Sequence, residues 1–289
     1  MTRNIAMTDA CGIAVLMMSL LVCSCEKGYI VGSNEDDDED SDDNGSTANV
    51  SIITRMEDDN SACTRIDVGL FQDGTKVKAV NITEDDEDFG NLSLALDDGT
   101  YDIVIIAHNG TGAATISSAD EIKFSNNKVT DTHYFYGTIT INGTANYNIT
   151  LHRAVAMFRL IISDDTPDDV VQMKFYYTGG SSTLDATTGY GCVNSRQTEY
   201  REVETSAYTG SSQYEIYTFP HNDDDVLKIV VTAQSDLEES LYEATFTDVL
   251  VNIGEVTQYT GNFFETSSSN NTTIAVSMYD EWVVNEYTY

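Results

Sequence analysis

The run His152-Arg153-Ala154-Val155-Ala156-Met157-Phe158-Arg159-Leu160-Ile161-Ile162 decides the fold class. At a period of two, Ala154, Ala156, Phe158, Leu160 and Ile162 share one face, and Arg153 and Arg159 share the other. A helix would scatter both arginines among the apolar residues, so the run is expected to form one strand. It is either the first strand of a second domain or the bridge into it, and Asp164-Asp165-Thr166-Pro167 ends it. Both arginines are expected on the less buried face, paired with carboxylates of neighbouring strands.

The same alternation recurs upstream. Val50 to Thr54 is β-prone, and Ile66, Val68 and Leu70 alternate with Asp67 and Gly69 ahead of an Asp73-Gly74 hairpin signal. Leu92, Leu94 and Leu96 alternate again before Asp97-Asp98-Gly99. Tyr101 to Ala107 is apolar apart from Asp102, as a strand buried on both faces would be. Ser117 to Phe124 is the one stretch read as a short helix. Tyr134 to Ile141, Asn142-Gly143 and Tyr147 to Leu151 make the clearest hairpin signal. Downstream, Val170 to Tyr177, Tyr214 to Phe219, Leu227 to Ala233, Leu241 to Phe246, Thr257 to Phe264 and Thr273 to Val284 read as strands. Many short strands separated by turn residues predict an all-β protein built from β-sandwiches.

The N-terminus carries a different signal. Gly12 to Val22 is nearly continuous apolar sequence behind a single base, Arg3, which is too short to span a bilayer comfortably and suits a secretory signal. Leu21-Val22-Cys23-Ser24-Cys25 follows, and small Ser24 before Cys25 has the pattern of a bacterial lipobox. Cleavage before Cys25 would leave its thiol for a diacylglyceryl group, palmitate being one such acyl chain, and more than one chain makes anchoring stable. Cys23 is the poorer candidate because bulky Val22 precedes it. The acidic run Glu35-Asp-Asp-Asp-Glu-Asp-Ser-Asp-Asp43 then reads as an extended spacer. Asp40 to Gly45 matches the first half of a calcium loop, but Ser51 stands where the closing glutamate belongs. The expected organisation is a signal peptide over 1–24 and the lipidated cysteine with its acidic linker over 25–49. An N-terminal sandwich over 50–152 and a C-terminal sandwich over 153–289 follow.

Composition narrows the function. A formal charge of −34 would repel phosphate, so no nucleic-acid partner is expected. His108, His133, His152 and His221 show no zinc spacing, and His221-Asn-Asp-Asp-Asp225 reads as a solvated turn rather than a cation site. Gly179-Gly180-Ser181-Ser182 lacks a nucleophile-elbow pattern. No metal, cofactor or enzymatic activity is expected. Cys63 and Cys192 leave two readings open, one disulfide or two free thiols.

Leu151-His-Arg-Ala-Val-Ala-Met-Phe-Arg-Leu160 resembles the Leu-x-Arg-x-x-Ala core of fimbrillin-type subunits, namely the FimB-like anchor and accessory proteins of Bacteroidetes type V fimbriae. Asp67-Val-Gly-Leu-Phe71, Leu96-Asp-Asp-Gly-Thr-Tyr101, Phe135-Tyr136-Gly137, Thr257-Gln-Tyr-Thr-Gly261 and Asp280-Glu281-Trp282 are similar to further motifs of that family, in the same order. The resemblance implies two transthyretin-like β-sandwich domains and a structural role in a fimbria, with assembly by strand exchange. It also implies a lipid anchor in the outer membrane, at the cell surface or in the fimbrium. Other fimbrial subunits would be partners, and host or bacterial surface ligands form a further partner class. Stalk subunits of the family lose their first strand to an Arg-specific protease, and here Arg55 and Arg65 flank the first strand as processing candidates.

The segment 272–282 is the candidate donor strand. Ile274, Val276 and Met278 fall on one face, Trp282 would anchor the end, and Thr266-Ser-Ser-Ser-Asn-Asn271 has linker composition. An ordinary closing strand of the second sandwich fits the same residues. A surface glycan-binding lipoprotein serving nutrient uptake is the alternative function. Its usual clustered tryptophans are missing, because Trp282 is the single tryptophan of the chain.

Overall fold

The structure, a computed structural model, describes residues 47–57, 63–265, 274–278 and 283–288. The first half contributes β1 (Val50–Met56), β2 (Arg65–Gln72), β3 (Thr75–Thr83), β4 (Asn91–Leu94), β5 (Gly99–His108), β6 (Thr115–Ser118), β7 (Glu121–Lys123), β8 (Thr132–Ile141) and β9 (Ala145–Arg153). Seven of these form a sheet in the order β3-β2-β5-β8-β9-β1-β4. That sheet bends over on itself between β8 and β9 and closes on a core of Ile52, Leu70, Ile103, Ile105 and Leu151, all fully buried.

The bend changes the role of Asn142-Gly143. β8 and β9 are bonded at His133↔Arg153 and Tyr134↔His152, at the end far from the turn. Nearer the turn they part, β8 running ten pairs beside β5 and β9 seven parallel pairs beside β1. Two long ladders and a closed core outweigh one short hairpin. The Tyr147 hydroxyl fills part of the gap, accepting from the Thr140 N–H at 3.1 Å and donating to the Thr140 carbonyl at 2.6 Å. These are backbone groups that a flat hairpin would have paired.

The second half contributes β10 (Ala156–Ile162), β11 (Gln172–Thr178), β12 (Thr183–Asp185), β13 (Tyr190–Gly191), β14 (Arg196–Glu202), β15 (Ser212–Thr218), β16 (Asp225–Gln234), β17 (Ser240–Val251), β18 (Glu255–Gly261), β19 (Ile274–Met278) and β20 (Val283–Thr288). Sheets of order β15-β10-β18-β20-β19 and β14-β11-β16-β17 enclose a core that includes Phe158, Phe175, Ile229 and Val231. The all-β class read from alternation is what the structure has.

A third core joins the halves. Val104, Ile106, Ile122 and Phe124 from the first pack with Leu184 and Phe219 from the second. A small sheet of order β13-β12-β7-β6 crosses the same junction, through Thr183↔Lys123 and Leu184↔Ile122.

Three local expectations are corrected here. Ser117 to Phe124 is not helical: β6 and β7 form a hairpin with Ile116 opposite Ile122, because β12 supplies an edge for β7 that no local pattern announces. The run 152–162 is not one strand. It breaks at Ala154-Val155, both fully buried in the third core, which separates β9 from β10. Arg153 is also more buried than expected, 8% exposed, and is satisfied there by a two-pronged bond to Asp131 (Nε–Oδ1 2.9 Å, Nη2–Oδ2 3.0 Å). Arg159 is half-buried and meets Glu215, directly opposite on β15, at 2.8 Å.

We propose that the halves divide at His152/Arg153, as sandwiches that fold separately and then dock. A chain of Val50 to His152 is then expected to give a β-type circular dichroism spectrum. It should also bind an apolar dye through the uncovered Val104, Ile106, Ile122 and Phe124. An aggregated or disordered product overturns that division.

Candidate functional site

The candidate processing and donor residues fall on the first two strands and the last two. β1 lies between β9 and β4 and puts Val50 and Ile52 into the first core. Arg55 is exposed on β1, opposite Thr150, and Arg65 is half-buried at the head of β2, between Thr83 and His108. The structure therefore places the two processing candidates on different strands. A cut at Arg55 would fall within a ladder, whereas a cut at Arg65 would sever the whole of β1 from the rest of the chain. Ladder pairing at either residue holds the peptide bond away from the extended, unpaired form that nicking favours.

At the other end, β20 pairs in parallel with β18 from Glu255↔Val283 to Thr260↔Thr288, and β19 lies outside it in antiparallel register. Ile274, Val276 and Met278 thus sit on an outer strand one place removed from β18, and the closing stretch expected over Thr273 to Val284 is two strands. Tyr259 and Tyr287 stack with centroids 4.8 Å apart, Asn285 Nδ2 donates to Glu255 Oε2 at 2.8 Å, and Gln258 Nε2 donates to Glu286 Oε1 at 3.2 Å. Cys25, the acidic run and Trp282 lie outside the described residues.

Sequence reasoning missed the clamp that precedes this hairpin. The Asp164 carboxylate accepts the backbone N–H groups of Phe263, Phe264 and Glu265, each at 2.8 Å. Asp164 reads in sequence only as a strand terminator, because its three donors lie about a hundred residues downstream. Phe263 and Phe264 pack against the second core, so the chain is held up to Glu265.

The motif residues have structural work. Asp67 and His108 are each 1% exposed and bond at 2.9 Å, Oδ2 to Nε2. The same Oδ2 accepts the Ala114 N–H at 2.6 Å, and His108 Nδ1 accepts the Gly110 N–H at 2.9 Å. That acceptor role assigns the ring proton of the neutral imidazole to Nε2. The Phe135 ring lies across Gly137, where a Cβ would come within 2.7 Å of it, which explains the small residue in Phe-Tyr-Gly. His221 bonds Asp225 through Nδ1 at 2.9 Å and the Val193 carbonyl through Nε2 at 3.1 Å, so both ring nitrogens are engaged in holding the turn. Cys63 and Cys192 are free thiols, and burial pushes the Cys63 thiol up to about 11.

The sequence model of the fimbrillin-A associated anchor proteins Mfa1 and Mfa2 matches residues 36–286. The chain belongs to that family. The Mfa2 anchor family is one of fimbrial anchor and adhesin-like structural proteins, not of enzymes. A candidate adhesin from Bacteroides ovatus ATCC 8483 shares 14% identity, with 78% of this chain and 92% of that chain covered and a TM-score of 0.48. A candidate cell adhesion protein from Bacteroides eggerthii DSM 20697 shares 14% identity over 84% of this chain and 98% of that one, with a TM-score of 0.45. The fimbrial anchor protein Mfa2 from Porphyromonas gingivalis shares 9% identity over 69% and 82%, with a TM-score of 0.41. No curated protein matches the chain. Membership in the Mfa2 anchor family rests on the match over 36–286. Among the described residues no helix is long and apolar enough to cross a membrane.

Proposed function

We propose that this chain is an anchor or accessory subunit of a cell-surface fimbria, tethered to the outer membrane by acyl chains on Cys25 and joined to its neighbour by strand exchange. The family match over residues 36–286 carries the fimbrial part of that reading. The Ser24-Cys25 lipobox behind an apolar run supports the tether. The strand-exchange part is supported by the terminal pair β19 and β20: among the described residues, the ladder of β20 with β18 is what joins it to the second sandwich. A strand added at that edge would gain affinity from main-chain bonds and specificity from alternate side chains. The donor segment 272–282 then acts together with β20. Arg55 and Arg65 are the processing sites available on this reading, and an anchor that keeps its first strand leaves both uncut. Partners are other fimbrial subunits, the outer membrane, and host or bacterial surface ligands met through the fibre.

Two measurements test it. Cys25→Ala is expected to abolish palmitate labelling and to move the protein out of the membrane fraction; labelling that persists and maps to Cys23 overturns the tether as placed. Truncation after Asn271 is expected to leave a folded chain that no longer holds fimbriae to the cell. Outright unfolding of the truncated chain would show that β19 and β20 complete this molecule's own sheet and overturn the exchange.

A further inference from the structure

Where the loops of the first sandwich around residues 109 and 128–131 face β14 and β15 of the second, the surface folds into a cleft of about 370 Å³. Asn109, Lys128 and Thr130 also line an adjoining recess of about 280 Å³. Sites at such junctions, and of such size, suit small ligands. Its charged and amide groups come from both halves, Asn109, Lys128 and Asp131 from one and Arg201, Gln213 and Glu215 from the other, beside Val129 and two tyrosines. Neither half builds it alone.

Three of its four charged groups, Asp131, Glu215 and Arg201, are held in place before any ligand arrives. Asp131 is gripped on both oxygens by the buried Arg153. Glu215 accepts from Arg159 Nε at 2.8 Å and Gln213 Nε2 at 2.9 Å on Oε1, and from the Tyr217 hydroxyl at 3.3 Å on Oε2. Arg201 donates through Nη2 to Glu199 Oε2 at 2.7 Å and to the Glu215 carbonyl at 3.0 Å. Glu199 is itself buried and accepts the Tyr177 hydroxyl at 2.7 Å. Groups clamped in this way lose little further freedom when a ligand is bound, which is what preorganisation contributes to affinity.

The balance of charge selects the ligand. Lys128 and Arg201 offset Asp131 and Glu215, so the cleft is close to neutral on a chain of net charge −34. An apolar ligand would strip water from these groups and replace none of it. A polyanion would meet the two carboxylates at short range and the net charge beyond them. A polyhydroxylated neutral molecule suits the lining, because neighbouring hydroxyls accept from Lys128, Arg201, Asn109 and Gln213 and donate to Asp131 and Glu215. We infer that this cleft binds a neutral oligosaccharide, with the ligand lying across the junction of the two sandwiches.

Affinity electrophoresis of the full mature chain tests this, in gels containing amylose, mannan, xylan or galactan, with polygalacturonate as the polyanion. At least one neutral polysaccharide is expected to retard the chain. Asn109→Ala with Gln213→Ala is expected to weaken that retardation at least five-fold at an unchanged thermal midpoint. Tyr200→Ala, on the outward face of β14, is expected to leave it unchanged. The inference is overturned if no neutral polysaccharide retards the chain, if only polygalacturonate does, or if the double variant is retarded as strongly as the native chain. None of these outcomes depends on acylation at Cys25 or on fibre assembly, so the cleft and the anchor role stand or fall separately.

Discussion

Phe158→Asp is expected to unfold the protein, at a cost above about 4 kcal/mol. Phe158 is 1% exposed on β10, with Phe246 and Tyr259 rings at 5.6 and 5.7 Å. The substitution removes a large aromatic from a packed core, a loss of about 3–5 kcal/mol on its own. It also places a carboxylate among the apolar side chains of Leu160, Phe175, Ile229 and Val231. Arg159→Ala, one residue along and on the other face, is the matched comparison. Its bond to Glu215 is partly open to water, and Gln213 and Tyr217 continue to hold that carboxylate. About 1 kcal/mol is expected there. Circular dichroism of both variants, with urea unfolding of whichever stays folded, checks the pair, and equal losses would mean that the two faces of β10 are interchanged.

Asp67→Ala is expected to cost about 2–6 kcal/mol, although it deletes only a small side chain. The carboxylate is buried and serves two donors at once, the His108 ring and the Ala114 N–H. Removing it strands both, and each orphaned group costs about 1–3 kcal/mol. His108→Ala leaves the buried carboxylate with the Ala114 N–H alone and frees the Gly110 N–H, with a comparable loss. The double variant is expected to lose clearly less than the sum of the singles, since each single already forfeits the shared bond. Thermal unfolding of the four proteins gives the coupling energy. Strict additivity would show that the pair, although 2.9 Å apart, contributes nothing as a pair.

The fimbrial family was legible through short motifs whose residues prove to be local necessities. Gly137 leaves room for the Phe135 ring, and Asp67 closes a buried bond. The candidate cleft was not legible. Asp131 and Arg201 are surface-type residues in a chain with 48 acids and 14 bases, and only their buried partners, Arg153 and Glu199, distinguish them. The Asp164 clamp was hidden for the same reason, being defined by donors remote in sequence.

By itself the sequence determined the strand character of most of the chain and which face of each strand is apolar. Side-chain alternation is a property of an extended backbone and needs no partner to be expressed. Ala156, Phe158, Leu160 and Ile162 point into the second core as the alternation requires. Only the tertiary structure decided which strands pair. β8 and β9 open into a corner because β5 and β1 offer longer ladders, and residues 116–123 become a hairpin because β12 presents a free edge. The break at Ala154-Val155 exists because a third core needs filling between the two halves of the chain. A residue's local pattern carries its preference for extension, but not the identity of the distant edge that will satisfy its backbone hydrogen bonds.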